Sequence, residues 1–352
     1  MPKKTSVSLN GLVEEFLMER GAIRVGVATL ETLAGGPPST DLEYCLEGAR
    51  SAVSFALPLD RNHIRSYLAK QDRLGHEKDN IDTNIRATNI SWELAEMLKK
   101  EGYHSKGTKA NLKYRTEIKD WQLYLLPDIS HRYIAARSGV GSFGWSGNVG
   151  IKGYGTAVIL DTTITAAELE PTEPIPEEES FCDMCKLCTS VCVPGMFDKK
   201  QEMKVTIGGV EFSYAVRKNY LRCDFCCGGF TGLAKSGKWS TWSPGRIPVP
   251  DDHDELFKEF VRGLELYRKR PSMPPGGVEN HPALEGYTQH LTCGNCAIVC
   301  WGDLEQTREN VKLLHNSGCV LQKEDGELYA LPHEEAKAAF ESMDPERKKL
   351  YC

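Results

Sequence analysis

The segment FCDMCKLCTSVC, residues 181–192, sets Cys182, Cys185, Cys188 and Cys192 in the spacing C-x2-C-x2-C-x3-C. That is the run by which bacterial ferredoxins hold [4Fe–4S] clusters. Three thiolates two residues apart wrap one corner of a cubane, each on a different iron, and the fourth points away to a second cluster. The proline that usually follows the fourth cysteine is displaced by one, to Pro194. A second, shorter run, Cys293-x2-Cys296-x3-Cys300, looks like its partner. With ligands exchanged between motifs, Cys182, Cys185 and Cys188 take Cys300, and Cys192 joins Cys293 and Cys296. Two cubanes need eight ligands and the motifs supply seven. The eighth comes from Cys223, Cys226 or Cys227 in RCDFCCGGF. Zinc, which favours paired C-x2-C knuckles with four ligands, fits a three-cysteine run poorly.

Outward from the cysteines, the chain is ordinary for a globular protein. It has 352 residues, 40% hydrophobic and 26% charged, enough for one large or two medium domains. The 13 cysteines cluster: eleven lie from Cys182 to Cys319, which points to metal or redox chemistry in a reducing compartment rather than to disulfides. Cys45, Cys319 and Cys352 read as ordinary thiols. The formal net charge of −6 argues against a nucleic-acid partner. MPKKTSVSLN carries no apolar run or twin arginine, and no stretch reaches 18 apolar residues, so the expectation is a cytoplasmic protein without a transmembrane segment.

Periodicity predicts helices over 8–20, 82–101, 130–137, 252–268, 302–315 and 333–343, and strands at AIRVGVATL, RSAVSFALPL and TAVILDTTI. TKANLKY and WQLYLLP read as strand or loop. The alternation implies an α/β or α+β first domain over 1–167. Residues 168–180, rich in proline and holding six glutamates, read as a solvated acidic linker that could also dock a basic electron donor. A two-cluster domain follows over 181–305, with an irregular insertion at about 230–290, and then a helical extension over 306–352. Trp239, Trp242 and Trp301 could line a pocket; the first two, within the insertion, suit either a lid or packing anchors.

RSGVGSFGWSGNVGIKGYG (137–155) contains G-x-G-x-x-G at Gly139, Gly141 and Gly144. A dinucleotide fingerprint needs a strand before it and a helix after it. Here a helical pattern precedes and a glycine-broken loop follows. The glycines therefore suit a structural turn or a loop whose backbone approaches a large flat ligand.

Taken together, RYIAARSGVGSFGWSGNVGIKGYGTAVILDTTI, FCDMCKLCTSVC, Arg222-Cys223 and CGNCAIVCWGD resemble the cobalamin-dependent superfamily of epoxyqueuosine reductases and reductive dehalogenases, over roughly residues 125–305. The resemblance implies an α+β chain: an α/β-type, nitroreductase-like corrinoid-binding domain, then a ferredoxin-like domain with two [4Fe–4S] clusters. It implies base-off cobalamin cradled by Arg137, Ser138, Gly139, Val140, Gly141 and Gly144. It also selects Cys223 as the eighth ligand, because relatives use a lone cysteine between the motifs. The implied activity is an oxidoreductase performing reductive cleavage of a small molecule, fed by a ferredoxin- or flavodoxin-like donor. The alternatives are an electron-transfer protein that reactivates a partner's corrinoid, and a tRNA-modifying epoxyqueuosine reductase.

Departures from the pattern bear on the substrate. Leu125 stands where epoxyqueuosine reductases have a proton-donating aspartate, and 306–352 is short and acidic where they carry a tRNA-binding repeat. Reductive dehalogenases use a tyrosine near that place, and Tyr124 is adjacent. Trp301 follows Cys300 where relatives usually have proline. Asp128 and His131 lie one helical turn apart before the glycine loop and are candidate proton donors beside Tyr124; the structural alternative is that Asp128 caps the helix and His131 lies on its surface. Arg132 and Arg137 suit corrinoid side groups, phosphate or the linker glutamates.

Overall fold

The computed structural model describes residues 8–110, 113–119, 121, 126–273, 276–277 and 288–352. Tyr124 and Leu125 lie outside the described residues. Helix α1 (Leu9–Glu19) starts where the Ser8 hydroxyl accepts from the Gly11 N–H, and it buries Val13 and Leu17. Strands β1 (Arg24–Thr29) and β2 (Ser51–Pro58) pair antiparallel, Val27 opposite Val53. Helices α2 (Arg61–Leu68) and α3 (Leu74–Lys100) follow; α3 begins eight residues before the expected position 82. Strand β3 (Ser105–Gly107) and, after a long excursion, β6 (Val158–Thr165) complete a four-stranded sheet ordered β1-β2-β6-β3.

Strand β2 shows how this sheet is covered. Every residue from Ser51 to Leu57 is buried, so both faces are packed. Val53, Phe55 and Leu57 share one core with Leu17, Ile90, Leu94 and Leu98 of α1 and α3. Ala52 and Ala56 face the other way, toward helix α4 (His131–Arg137) through Ile134, Ala135 and Ala136. Small residues on both partners let α4 lie close to the sheet. All the strand pairs are antiparallel. The chain is thus mixed α and β, with helices and strands alternating in sequence but no parallel βαβ pairing in this sheet.

The glycine segment forms a miniature hairpin, β4 (Ser142–Phe143) with β5 (Val149–Gly150). Beyond the linker come helix α5 (Leu187–Ser190) and a long hairpin of β7 (Phe197–Ile207) and β8 (Val210–Arg217), which the sequence reading did not identify. Helix α6 (Leu221–Cys227) carries the cysteine triple, α7 (His253–Lys269) lies in the insertion, and α8 (Asn295–Ile298) carries the second motif. Helix α9 (Leu304–His315) leads to the end of the chain. That segment is not simply helical: β9 (Cys319–Gln322) and β10 (Leu328–Leu331) form a hairpin before α10 (His333–Glu341) and α11 (Pro345–Lys348). Tyr351 is buried, and its carbonyl accepts from the Arg246 N–H at 2.6 Å, tying the segment to the insertion. No helix among the described residues is long and apolar enough to cross a membrane.

Two irregular segments pack on the rest of the chain. The six linker glutamates are exposed, as expected of a solvated segment, but the strap is tied to the sheet. The Thr172 N–H donates to the Val27 carbonyl, the Val27 N–H donates to the Thr172 hydroxyl oxygen, and Leu169 is buried. Trp239 and Trp242 are packing anchors rather than a lid. The Trp242 indole N–H donates to the Tyr67 carbonyl at 3.0 Å, and Trp239 stacks on His315.

Candidate functional site

The first cysteine motif wraps a common centre. Met184 and Lys186 both adopt left-handed backbone (φ 57° and 60°), an uncommon conformation for residues with side chains. Alternating turns of this kind bring Cys182, Cys185 and Cys188 around one cavity of about 230 Å³, and Cys300 closes it from the second motif. Trp145 is a further wall. Its indole N–H is buried with no partner among the described residues, and Lys186 sits over its ring at 3.7 Å. Cys185 is exposed, so this set reaches the surface.

The second set lies deeper. Cys192, Cys223 and Cys296 pack together against Met196 and Trp145. Cys192 is an electrostatic neighbour of both Cys223 and Cys293, and so is Cys296. The Met196 N–H points at the Cys192 sulfur (3.3 Å), and Asn148 approaches Cys296. The spare thiols are close as well. Cys227 lies 3.7 Å from Cys223, and both Cys226 and Cys227 contact Cys293. Those two contacts, with the Asn295 and Gly294 backbone N–H groups, outweigh burial and hold the Cys293 thiol well below its usual range. Burial does the opposite elsewhere, pushing Cys185 and Cys192 up to about 12 and Cys188 to about 11.

Both sets suit [4Fe–4S] clusters. The first gathers four cysteines around one cavity and the second brings six close together, while among the described residues no three are spaced for a single metal ion. The orphaned Trp145 N–H and the unpartnered buried amide of Asn295 are donors that cluster sulfides would satisfy. Loading such a site displaces protons from the raised thiols.

The glycine loop is occupied on several sides by the chain itself. A Cβ on Gly139 would stand 2.1 Å from the Glu173 carbonyl oxygen, one on Gly141 2.5 Å from that of Gly150, and one on Gly144 2.9 Å from the Phe181 ring. Strand β8 docks on the loop through Tyr214 against Phe143 (5.0 Å) and the Ala215 N–H to the Trp145 carbonyl (2.8 Å). Val140 and Gly141 touch a cavity of about 210 Å³. A drug-sized ligand takes roughly 300–1,000 Å³, and a corrinoid is larger than that. Arg137 and Ser138 are buried, with side-chain atoms that have no partner among the described residues. Of the six residues named for cobalamin, Val140 and Gly141 line this small cavity and Gly144 lines the one beside the first cysteine motif. The glycines serve a joint between the linker, β8 and Phe181.

A more open cavity, about 330 Å³, lies on the other side of α4. Asp128 and His131 both line it, but neither is free. His131 is buried, not on the helix surface; its Nε2 donates to the Lys109 carbonyl (3.1 Å), which leaves Nδ1 to accept from Thr162 Oγ1 (2.9 Å). Below it Asp161 is fully buried and accepts from Thr108 Oγ1 at 2.7 Å; burial raises its carboxyl. The helix cap is Ser130 rather than Asp128. Asp128 instead accepts from the Ile129 N–H and pairs with Lys113 at 3.4 Å.

The far wall of this cavity is Arg217 and Tyr220, which the sequence reading passed over. Tyr220 packs on the apolar cluster of Trp145, Met196, Phe197 and Ala215, as do Cys188 of the first set and Cys192, Cys223 and Cys296 of the second, so the cavity borders the cluster on which the cysteines sit. Burial raises the Tyr220 hydroxyl, but Arg217 and Arg132 outweigh it and leave the group below its usual value. Beside Cys223, Asp224 has its carboxyl pushed up to about 7 by burial.

No protein-family model matches the sequence. No curated protein matches it either. Solved structures do. A catabolic reductive dehalogenase aligns at 15% identity and TM-score 0.45, over 60% of this chain and 28% of its own. A second reductive dehalogenase, whose structure is described as suggesting a mechanism for B12-dependent dehalogenation, gives 15% and 0.47, over 74% and 35%. The epoxyqueuosine reductase of Bacillus subtilis gives 15% and 0.39, over 98% of this chain and 89% of its own. The chain thus spans about a third of the length of the dehalogenases it matches. These neighbours are reductive dehalogenases and epoxyqueuosine reductases, the superfamily that the cysteine and glycine motifs resemble.

Proposed function

We propose that this protein is a two-cluster iron–sulfur reductase acting on a small molecule held in the cavity between α4 and the Arg217–Tyr220 wall. The observation that carries this reading is a shared support: Tyr220 lines the cavity and packs on the same apolar cluster, Trp145, Met196, Phe197 and Ala215, as Cys188, Cys192, Cys223 and Cys296. Clusters held by the two cysteine sets supply single electrons. Cys182, Cys185, Cys188 and Cys300 hold the set that reaches the surface, where a ferredoxin- or flavodoxin-like donor would dock. Cys192, Cys223, Cys293 and Cys296 hold the buried set.

His131, fixed at both ring nitrogens, orients the floor of the cavity rather than moving a proton. Tyr220 is the better-placed acid, since its hydroxyl is flanked by two guanidiniums and reaches the cavity. The cobalamin dependence and reductive bond cleavage implied by the resemblance belong to this reading only if a corrinoid is retained, and no step is derived through it. The covered glycine loop favours a second reading, an electron-transfer protein that reduces a partner's corrinoid. Anaerobic reconstitution with iron, sulfide and hydroxocobalamin, followed by gel filtration, separates the two. One cobalt retained per chain supports a corrinoid reductase; full iron without cobalt supports electron delivery.

A further inference from the structure

Arg132 on α4 and Arg217 at the end of β8 come from distant parts of the chain and meet at one wall of the 330 Å³ cavity. Burial first, and then the nearby Arg217, lower the pKa of the Arg132 guanidinium. Two guanidiniums side by side repel, and neither has a carboxylate partner among the described residues. Their protein contacts are carbonyls and hydroxyls. Arg132 Nη1 donates to the Gly147 carbonyl at 2.5 Å. Arg217 donates to the Ser146 carbonyl through Nε (3.1 Å) and Nη2 (2.7 Å), and to Tyr220 through Nη1 (3.3 Å). These dipoles fix the geometry of both forks without cancelling their charge. Arg217 Nη2 also donates to Asn148 Oδ1 (3.2 Å), so of the five N–H donors of a guanidinium Arg217 keeps one and Arg132 keeps more, and none of these nitrogens is among the buried unpartnered atoms. They open to the cavity, which Lys109 and Lys113 also line. Lys113 is matched by Asp128.

We propose that Arg132 and Arg217 form an oxyanion subsite, so that the molecule taken into this cavity carries a carboxylate or a phosphate. The inference rests on the reading of this cavity as the substrate site. A planar fork that is already anchored loses little freedom on binding and matches two oxygens at once, which is why paired arginines suit such groups. Bound there, an oxyanion relieves the repulsion between the two cations and lies beside the Tyr220 hydroxyl.

The test uses the full-length, cluster-loaded protein and two probes, benzoate and inorganic phosphate, titrated by calorimetry at low ionic strength. Wild-type protein is expected to bind at least one probe with millimolar or tighter affinity. R132Q and R217Q should each weaken it at least tenfold, and K258Q, on an exposed helix far from the cavity in sequence, should leave it unchanged. Preference for benzoate assigns a carboxylate, preference for phosphate a phosphate. R132K and R217K keep the charge but lose the fork. They should fall between wild type and the glutamine variants, and they stand in where a glutamine variant does not fold. Failure of both probes to bind wild type, or equal binding by the arginine variants, overturns the subsite. Iron content is measured on the same samples. Intact anion binding in a protein that cannot hold iron would sink the reductase reading and leave the subsite standing; full iron without anion binding does the reverse.

Discussion

Cys223 and Cys227 sit one turn apart on α6, with their sulfurs 3.7 Å apart, so position along the helix alone does not choose the eighth ligand. Packing does. Cys223 packs on the same apolar cluster as Cys192 and Cys296, whereas Cys226 and Cys227 are not in that group and make their thiol contacts with Cys293 and, for Cys227, with Cys223. Cys223→Ser should therefore lose about four irons of eight after reconstitution. Cys226→Ser and Cys227→Ser should keep the full complement. Full iron in Cys223→Ser with half in Cys227→Ser would transfer the role to Cys227. His131 makes a second prediction. Replacement by Ala strands the buried Thr162 hydroxyl and the Lys109 carbonyl, a loss of about 1–3 kcal/mol in urea unfolding, with iron content unchanged. The cysteine spacing was legible in the sequence because local geometry dictates it. Arg217 and Tyr220 were not, because their role arises only when β8 folds back across the glycine loop.

At the scale of elements, strands β1, β2 and β6 and helices α1, α3 and α4 were legible, β2 as an apolar run buried on both faces, whereas α2 and the three-residue strand β3 were not read. The β7–β8 hairpin had a signal too: Gly208-Gly209, both with positive φ (56° and 78°), between alternating runs. The covered glycine loop had none, because G-x-G reads alike whether a ligand or the chain's own backbone approaches it. That joint is testable. Gly139→Ala places a Cβ 2.1 Å from the Glu173 oxygen on a left-handed backbone (φ 69°). The backbone alone costs about 1–2 kcal/mol. Gly26→Ala meets the Ser138 carbonyl oxygen at the same distance from the sheet side. Both should lower the melting temperature of the metal-free protein and make the 168–180 linker cleavable by protease. A linker equally resistant in both variants would show that it is not held by this joint.

Across the whole molecule, the insertion, the C-terminal segment and α2 converge on Lys70, whose Nζ donates to Ser317 Oγ at 3.0 Å. Burial lowers its ammonium to about 7, partly offset by Cys319 and Cys293. An exposed lysine titrates near 10.4, so between these values the unfolded chain binds more protons than the folded one. Stability should rise with pH across roughly 7–10, by up to about 1.4 kcal/mol per unit, and this contribution is lost as pH falls through 7. Lys70→Met should flatten that slope in urea unfolding; an unchanged slope would assign it elsewhere. None of this was visible in sequence, since Lys70 and Ser317 are distant in the chain.

The central claim is that two interleaved cysteine sets hold two cubanes. It is tested most directly by anaerobic reconstitution with iron and sulfide, metal analysis and EPR of the dithionite-reduced protein. The account predicts about eight irons and eight sulfides per chain, with spectra of two interacting reduced [4Fe–4S] clusters. Four irons, or stoichiometric zinc that iron and sulfide do not displace, would contradict it.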